Sequence, residues 1–215
     1  MPANRKEASK TRRSQILAEA AKVFAEQGYA HAKVDDIAAN LKIAKGTIYL
    51  YFTTKEELFL ATADDAMSRL QARILSRMEK IRDPFAQILA GVKASLEFFD
   101  NNLHVIEIFI HERAEFRNRK TPTCLAYRDE TLRVLESLLE EWKALGTVRN
   151  IDVKATAGMM GDLLYGTVYT HFLRGRPHKL ARLAPQIADL FLAGILTPEG
   201  RREYARLRPQ LKGKS

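Results

Sequence analysis

Two groups of residues in this chain have types and spacing that could do chemistry. The first is the stretch "KIAKGTIYLYF", Lys42 to Phe52, with one glycine, three aromatics and two lysines. Lysine and tyrosine side chains can hydrogen-bond DNA phosphates, and a tyrosine ring can touch a thymine methyl group. Glycine lets backbone approach another surface closely. The second group is His104, Glu107 and His111, spaced i, i+3, i+7 and therefore on one helix face. That face could orient a polar ligand group or make ordinary hydrogen bonds and ion pairs; a metal is not expected. The sequence contains no G-x-S-x-G, H-E-x-x-H, P-loop or glycine-rich dinucleotide turn, so neither enzyme activity nor a cofactor is expected.

The elements that must position these groups read as helices throughout. Ile16, Ala20, Val23 and Phe24 recur at helical spacing, and Gly28 is a stop signal, so a first helix is expected over about 10–27. A short second helix covers 34–41, with Asp35 and Asp36 suited to its N-terminus. A third covers about 44–51, with Ile48 and Phe52 facing inward towards Leu41, Ile37 and Phe24. Lys45, Gly46, Thr47, Tyr49 and Tyr51 fall off that apolar stripe. Thr54 caps a long fourth helix, with Glu57 completing a capping box. Asp83-Pro84, Thr121-Pro122 and Asp152 open further helices, and others span about 103–118 and 180–196. The chain is expected to be all-α, with a three-helix helix-turn-helix domain over 1–53, a larger helical bundle over 54–215, and nine or ten helices in all.

The 215 residues are 46% hydrophobic, enough for a core, and the net charge of +9 suits an anionic partner. One cysteine, Cys124, excludes an intrachain disulfide framework and fits a small buried apolar role. The polar, basic start lacks the apolar core of a signal peptide, and no apolar run could span a membrane, so a cytoplasmic location is expected. Met67, Met78, Met159 and Met160 read as core filler. The basic piece from Arg201 to Lys214, including Arg202, Arg206 and Arg208, reads as a solvated tail.

The segment "FAEQGYAHAKVDDIAANLKIAKGTIYLYFTTKEELF" resembles the N-terminal domain of the TetR family of bacterial transcriptional regulators. The resemblance covers about 12–60. It rests on "F-x-x-x-G-Y" at the end of the first helix, "IA" in the second, the "KGTIYLYF" recognition helix and the "TKEEL" start of the fourth. It implies that Lys45 and Gly46 meet base edges. Thr47, Tyr49 and Tyr51 meet phosphates, with Tyr49 also near a base. Lys55 clamps a phosphate, and Lys33 and Val34, with Asp35, approach the backbone or bases. Arg12 and Arg13, with Arg5, Lys6 and Lys10, form a basic arm near the DNA. Three positions depart from the family pattern: Lys33 stands where threonine is usual, Lys42 where glycine is usual, and Ala44 where a serine N-cap is frequent. A lysine at positive φ costs roughly 1 kcal/mol.

One recognition helix reads half a site, so a pseudo-palindromic operator and a homodimer are expected. The resemblance implies that the last two long helices form the interface. Gly158, Asp162, Tyr165 and Gly166, with Ala155 and Tyr169, run along one side of the first; Ile187, Leu190, Phe191 and Gly194, with Leu183, mark the second. The middle helices are expected to enclose a small-molecule effector near Phe98, Phe99, His104, Glu107, Ile108 and His111. The expected function is a ligand-responsive, sequence-specific DNA-binding regulator, a repressor released from its operator by a small molecule. The alternative is an all-helical interaction protein without specific DNA recognition.

Overall fold

The structure, a computed structural model, describes residues 2–175 and 179–212, with side chains described for 7–175 and 179–207. Pro177 and Lys214, and the side chains of Arg5, Lys6 and Arg208, lie outside the described residues. Among the described residues there are ten α-helices and one 3-10 helix. None of the described helices is long and apolar enough to cross a membrane. The chain divides into two compact units, Met1–Arg69 with Leu103–Ala126, and Leu70–Asn102 with Tyr127–Ser215.

The first unit holds α1 (Pro2–His31), α2 (Val34–Asn40), α3 (Lys45–Tyr49), most of α4 (Lys55–Met78) and α6 (His104–Glu115). Helix α1 begins at Pro2 rather than near Lys10, because Glu7, Ala8 and Lys10 are helix formers although the segment is polar. Gly28 breaks it with φ 72 and ψ 163, and a last turn follows to His31. The core of this unit is Ile16, Leu17, Ala20 and Phe24 of α1, Ile37, Ile48, Phe52, and Leu58 and Phe59 of α4, all fully buried. Helix α6 packs along α1. Phe24, Tyr29, Phe59 and Phe116 form one ring cluster, with neighbouring centroids from 5.0 to 6.3 Å apart.

The second unit holds the end of α4, α5 (Pro84–Asn101), most of α7 (Thr123–Ala144), α8 (Val153–Leu173), the 3-10 turn Leu180–Leu183, α9 (Ala184–Ile195) and α10 (Pro198–Lys212). Asp83 caps α5 by accepting from Ala86 N at 2.7 Å, and Asp152 caps α8 by accepting from Ala155 N at 2.9 Å. The Asp100 carboxylate accepts from the backbone N–H groups of Lys179, Leu180 and Ala181, which pins the 3-10 turn to the end of α5. Val148 and Leu196 form an isolated antiparallel bridge. Gly200 lies so close to it that a Cβ there would stand 2.3 Å from the Thr147 carbonyl oxygen.

Several boundaries and burials differ from the sequence pattern. Helix α3 stops at Tyr49; the Ile48 carbonyl then accepts from both Tyr51 N and Phe52 N, which tightens the turn. Helix α7 starts at Thr123, one residue past Pro122, because Thr123 N is drawn to Glu112 of α6. Cys124 is half-buried. Met159 is 68% exposed, since none of the described residues covers its side of α8. The basic C-terminal piece is a helix that docks rather than a solvated tail. The Tyr204 ring packs at a tilt on Phe85, with centres 5.3 Å apart, and its hydroxyl donates to Asp189.

Candidate nucleic-acid interface and effector cavity

The turn between α2 and α3 is set by Lys42 at φ 54, the left-handed conformation that glycine adopts without strain. Ile43 N then bonds Ala38 O and Thr47 N bonds Ala44 O, which starts α3. Neither Lys33 nor Ala44 supplies a side-chain cap, so the first N–H groups of α2 and α3 have no such partner. Ile48 and Phe52 anchor the inner side of α3. Its outer side carries Lys45, Gly46 and Tyr49, all exposed, with Thr47 and Tyr51 half-buried. A Cβ at Gly46 would meet nothing within 4 Å, so backbone there is open to close approach. Tyr49 is 40% exposed, and Leu50, just past the helix, is 84% exposed.

Two lysines of this face are engaged within the chain. Lys45 Nζ donates to Asp35 Oδ2 at 2.7 Å, and that hydrogen bond raises the lysine's pKa further above its ordinary value. Lys55 Nζ donates to the Ala30 carbonyl at 3.1 Å and sits 4.8 Å above the Tyr29 ring. It therefore holds the turn after Gly28 against the start of α4. Glu57 N bonds Thr54 Oγ1 at 3.0 Å, as expected of an N-cap. The return bonds come from one residue further back, from Thr53 Oγ1 at 2.7 Å and Thr53 N at 2.6 Å to Glu57 Oε2. These bonds to Thr53 hold the Glu57 carboxyl below its ordinary pKa.

In the second unit, a cavity of about 80 Å³ lies among α4, α5, α7 and α8. Ile74, Met78, Ile88, Val92, Leu135 and Met160 are among its walls, with Ser95 and Thr131 as the polar groups.

A match to the family model described as bacterial regulatory proteins of the tetR family covers residues 16–62. Across nearly the whole chain, the sequence is 26% identical over 187 residues to the fatty acid metabolism regulator protein of Bacillus subtilis, covering 84% of this chain and 94% of that one. The fatty acid degradation regulator FadR of Bacillus halodurans superposes with a TM-score of 0.75 at 25% identity, over 85% of this chain and 95% of the other. Residues 16–62 are a DNA-binding domain of the TetR family. The chain is a DNA-binding regulator of transcription and not an enzyme. The transcriptional regulator FadR from Bacillus subtilis, solved in complex with stearoyl-CoA, shares the fold with a TM-score of 0.70 at 21% identity, over 85% of this chain and 98% of that one.

Of the residues expected on DNA in this TetR-type domain, Lys33, Lys45, Gly46 and Tyr49 are exposed around α2 and α3. Val34 is a correction: its side chain is buried in the first unit's core, and only its backbone lies at the α2 N-terminus. Arg12 and Arg13 stand on α1 rather than on a separate arm, and the Arg13 guanidinium lies 5.2 Å from the Phe52 ring centre.

The expected effector residues divide between the units. Phe98 and Phe99 precede the break at Asn102 and are buried in the second. His104, Glu107, Ile108 and His111 follow it and belong to the first. Ile108 is fully buried, and the His111 ring packs on Gly28. His104 is held below its ordinary pKa, first by burial and then by Arg69 and Lys22. None of these six residues lines the 80 Å³ cavity.

The expected dimer residues also divide. Asp162, Gly166, Leu190 and Gly194 are exposed, and a Cβ at Gly158, Gly166 or Gly194 would meet nothing within 4 Å. Leu190 is 68% exposed. Phe191 is half-buried. Ile187 is a correction, buried because it is the inward position of the strongly amphipathic α9. Tyr165 is half-buried, with its ring centre 6.5 Å from that of Phe99. Arg128 lies across Gly161 and donates to Gly158 O at 2.8 Å and Asp162 Oδ1 at 2.6 Å, so part of that side of α8 faces α7.

Some features carried no sequence signal. Glu112 is 1% exposed, and its Oε1 accepts from Thr123 N, Thr123 Oγ1 and Arg119 Nη1 at 2.8 to 2.9 Å. A glutamate within the charge-dense "HERAEFRNRK" gives no warning of burial.

Proposed function

We propose that this regulator is a homodimeric repressor of a pseudo-palindromic operator, released by a small molecule carrying a long apolar chain, of the fatty acyl thioester class. The observation that carries the DNA half of this reading is the outer side of α3: open backbone at Gly46 beside exposed Lys45 and Tyr49, on a helix anchored by buried Ile48 and Phe52. Residues 1–53 form the reading domain, and residues 54–215 bind the effector and the second subunit. Thr47 and Tyr51 flank the groove contact on phosphates. Lys55 supports the site through Ala30 and Tyr29 and reaches a phosphate on releasing them. The expected location is the cytoplasm.

The apolar cavity of the second unit supports the effector half, as do the fatty-acid roles in the names of the Bacillus regulators. At about 80 Å³ it is smaller than the ~150 Å³ space that takes up a benzene. An acyl chain therefore enters only by displacing walls such as Ile74 and Met78 of α4. Such a ligand prefers the displaced arrangement, and that preference is what shifts the population. The second subunit docks on the side of α8 and α9 that carries Met159, Gly166, Leu190 and Gly194.

Selection of genomic fragments by the purified protein, followed by footprinting with and without palmitoyl-CoA, tests both halves. A protected pseudo-palindrome that is lost on adding the thioester is expected. Uniform, salt-sensitive binding without a footprint would instead support a helical protein that lacks specific recognition. Gly166→Arg is expected to give a folded monomer by light scattering; an unchanged mass would move the interface elsewhere.

A further inference from the structure

We propose that Asp35 and Lys45 act as one composite base reader, in which the Asp35 carboxylate aims the Lys45 ammonium at a guanine and itself accepts from a cytosine amino group. Asp35 is then a specificity-determining residue that lowers overall affinity. The inference rests on α3 being the DNA-facing helix.

Asp35 lies in the first turn of α2 and Lys45 is the first residue of α3. Their side chains meet across the turn at 2.7 Å while both remain largely exposed. An exposed ion pair of this kind contributes little to stability, so folding gives a weak reason for it. On a face that meets a polyanion, a carboxylate opposes binding by repelling phosphate. Its benefit must therefore lie in what it does to the lysine. A lone lysine is a point charge on a flexible stem and settles readily on the nearest phosphate, which carries no sequence information. Held by Asp35, the ammonium keeps two of its three N–H donors for other acceptors.

Those two donors match the N7 and O6 acceptors that guanine presents in the major groove. A carboxylate has about four lone-pair sites, so Asp35 can hold Lys45 and still accept from the N4 amino group of cytosine. A lysine–aspartate pair thus offers donors and an acceptor in the order that a G·C step presents their complements. The neighbouring Gly46, with nothing near its Cβ position, leaves room for the groove edge beside the pair.

The test uses full-length wild type, Asp35→Ala, Asp35→Asn and Lys45→Ala, each checked for an unchanged circular dichroism spectrum. Binding is measured on the genomic fragment selected by wild type, on every single-base-pair variant of one half-site, and on random duplex, over a range of salt. Both Asp35 variants are expected to bind random duplex more tightly than wild type. They should also lose preference at one G·C pair, or at two adjacent ones, by about fivefold or more. Lys45→Ala should relax the same position. If the Asp35 variants keep the wild-type preference everywhere while Lys45→Ala loses one, the composite reader is refuted and the DNA-facing helix stands. If Lys45→Ala weakens all sequences alike and lowers the salt slope by about one, Lys45 is a phosphate contact and the proposal also fails. If no variant changes any preference, the assignment of α3 falls with it.

Discussion

Replacing Gly28 with alanine should destabilise the first unit by an amount that can be resolved into two parts. At φ 72 and ψ 163 this residue occupies a backbone region that is essentially restricted to glycine. Holding another residue there costs about 1–3 kcal/mol. The second part is steric. A Cβ at this position would stand 3.0 Å from His111 Cε1, 3.4 Å from Nε2 and 3.5 Å from Nδ1. The ring must tilt by a few tenths of an ångström, and an off-rotamer side chain costs roughly 0.5–1.5 kcal/mol. The total is about 3 kcal/mol at the middle of these ranges, which lowers the thermal midpoint of a chain this size by roughly 6–12 °C. Urea unfolding of wild type, Gly28→Ala, His111→Ala and the double variant separates the parts. Amide hydrogen exchange on α1 and α6 would confirm that the loss is local to them. The double variant should recover the steric part and keep the backbone cost. Gly28→Ala within about 0.5 kcal/mol of wild type would refute the strain argument, since surface changes without a structural cause fall in that range. A double variant no less stable than His111→Ala would show that the ring contact is the whole effect.

Glu112→Ala leaves Thr123 N without its acceptor and should cost about 2–4 kcal/mol, whereas Glu112→Gln keeps an oxygen at Oε1 and should cost clearly less; equal losses in denaturant unfolding would show that charge, not the acceptor, matters. Burial, Arg69 and Lys22 hold the His104 imidazole below its ordinary pKa near 6.5, so in the window below that value the unfolded chain binds more protons than the folded one. Stability should therefore fall as pH drops from about 6.5 towards the folded value, and His104→Gln should flatten that part of the pH profile; a profile identical to wild type would contradict it. Val92→Leu adds one methylene beside the 80 Å³ cavity and should raise the unfolding free energy by up to about 0.8 kcal/mol while weakening release by palmitoyl-CoA. Undiminished release would place the acyl chain elsewhere.

What the sequence revealed depended on whether the signal was local. The α2–α3 turn, the Asp83 and Asp152 caps and the inward Ile48 and Phe52 are decided by residues within a few positions of each other, and the pattern places them correctly. Lys42 was also legible as a site of strain, and the structure has it at φ 54. Contacts that join distant segments were not legible. Nothing near Asp100 indicates that it caps a turn at Lys179, and nothing near Arg128 indicates that it lies over Gly161. The expected effector residues all fall within 98–111, but the helix break at Asn102 sends the two halves of that stretch to different units. Met159 and the C-terminal arginines misled because composition does not distinguish a core methionine from an exposed one, or a free basic tail from a docked amphipathic helix. Asp35 was legible as a helix N-terminal acid, but its bond to Lys45 needed the turn geometry.

The docking of Tyr204 on Phe85 has a consequence for the order in which the protein can be completed during translation. Phe85 also packs on Trp142, with ring centres 4.9 Å apart, so its two aromatic partners leave the ribosome at very different times. At about 5–20 residues per second, Tyr204 is added roughly 6–24 s after Phe85. Throughout that interval the nascent second unit carries an aromatic face with one of its covers still unmade. Closing that face therefore waits for Tyr204 to be made, and a chaperone that shields aromatic surface has a window of seconds in which to act.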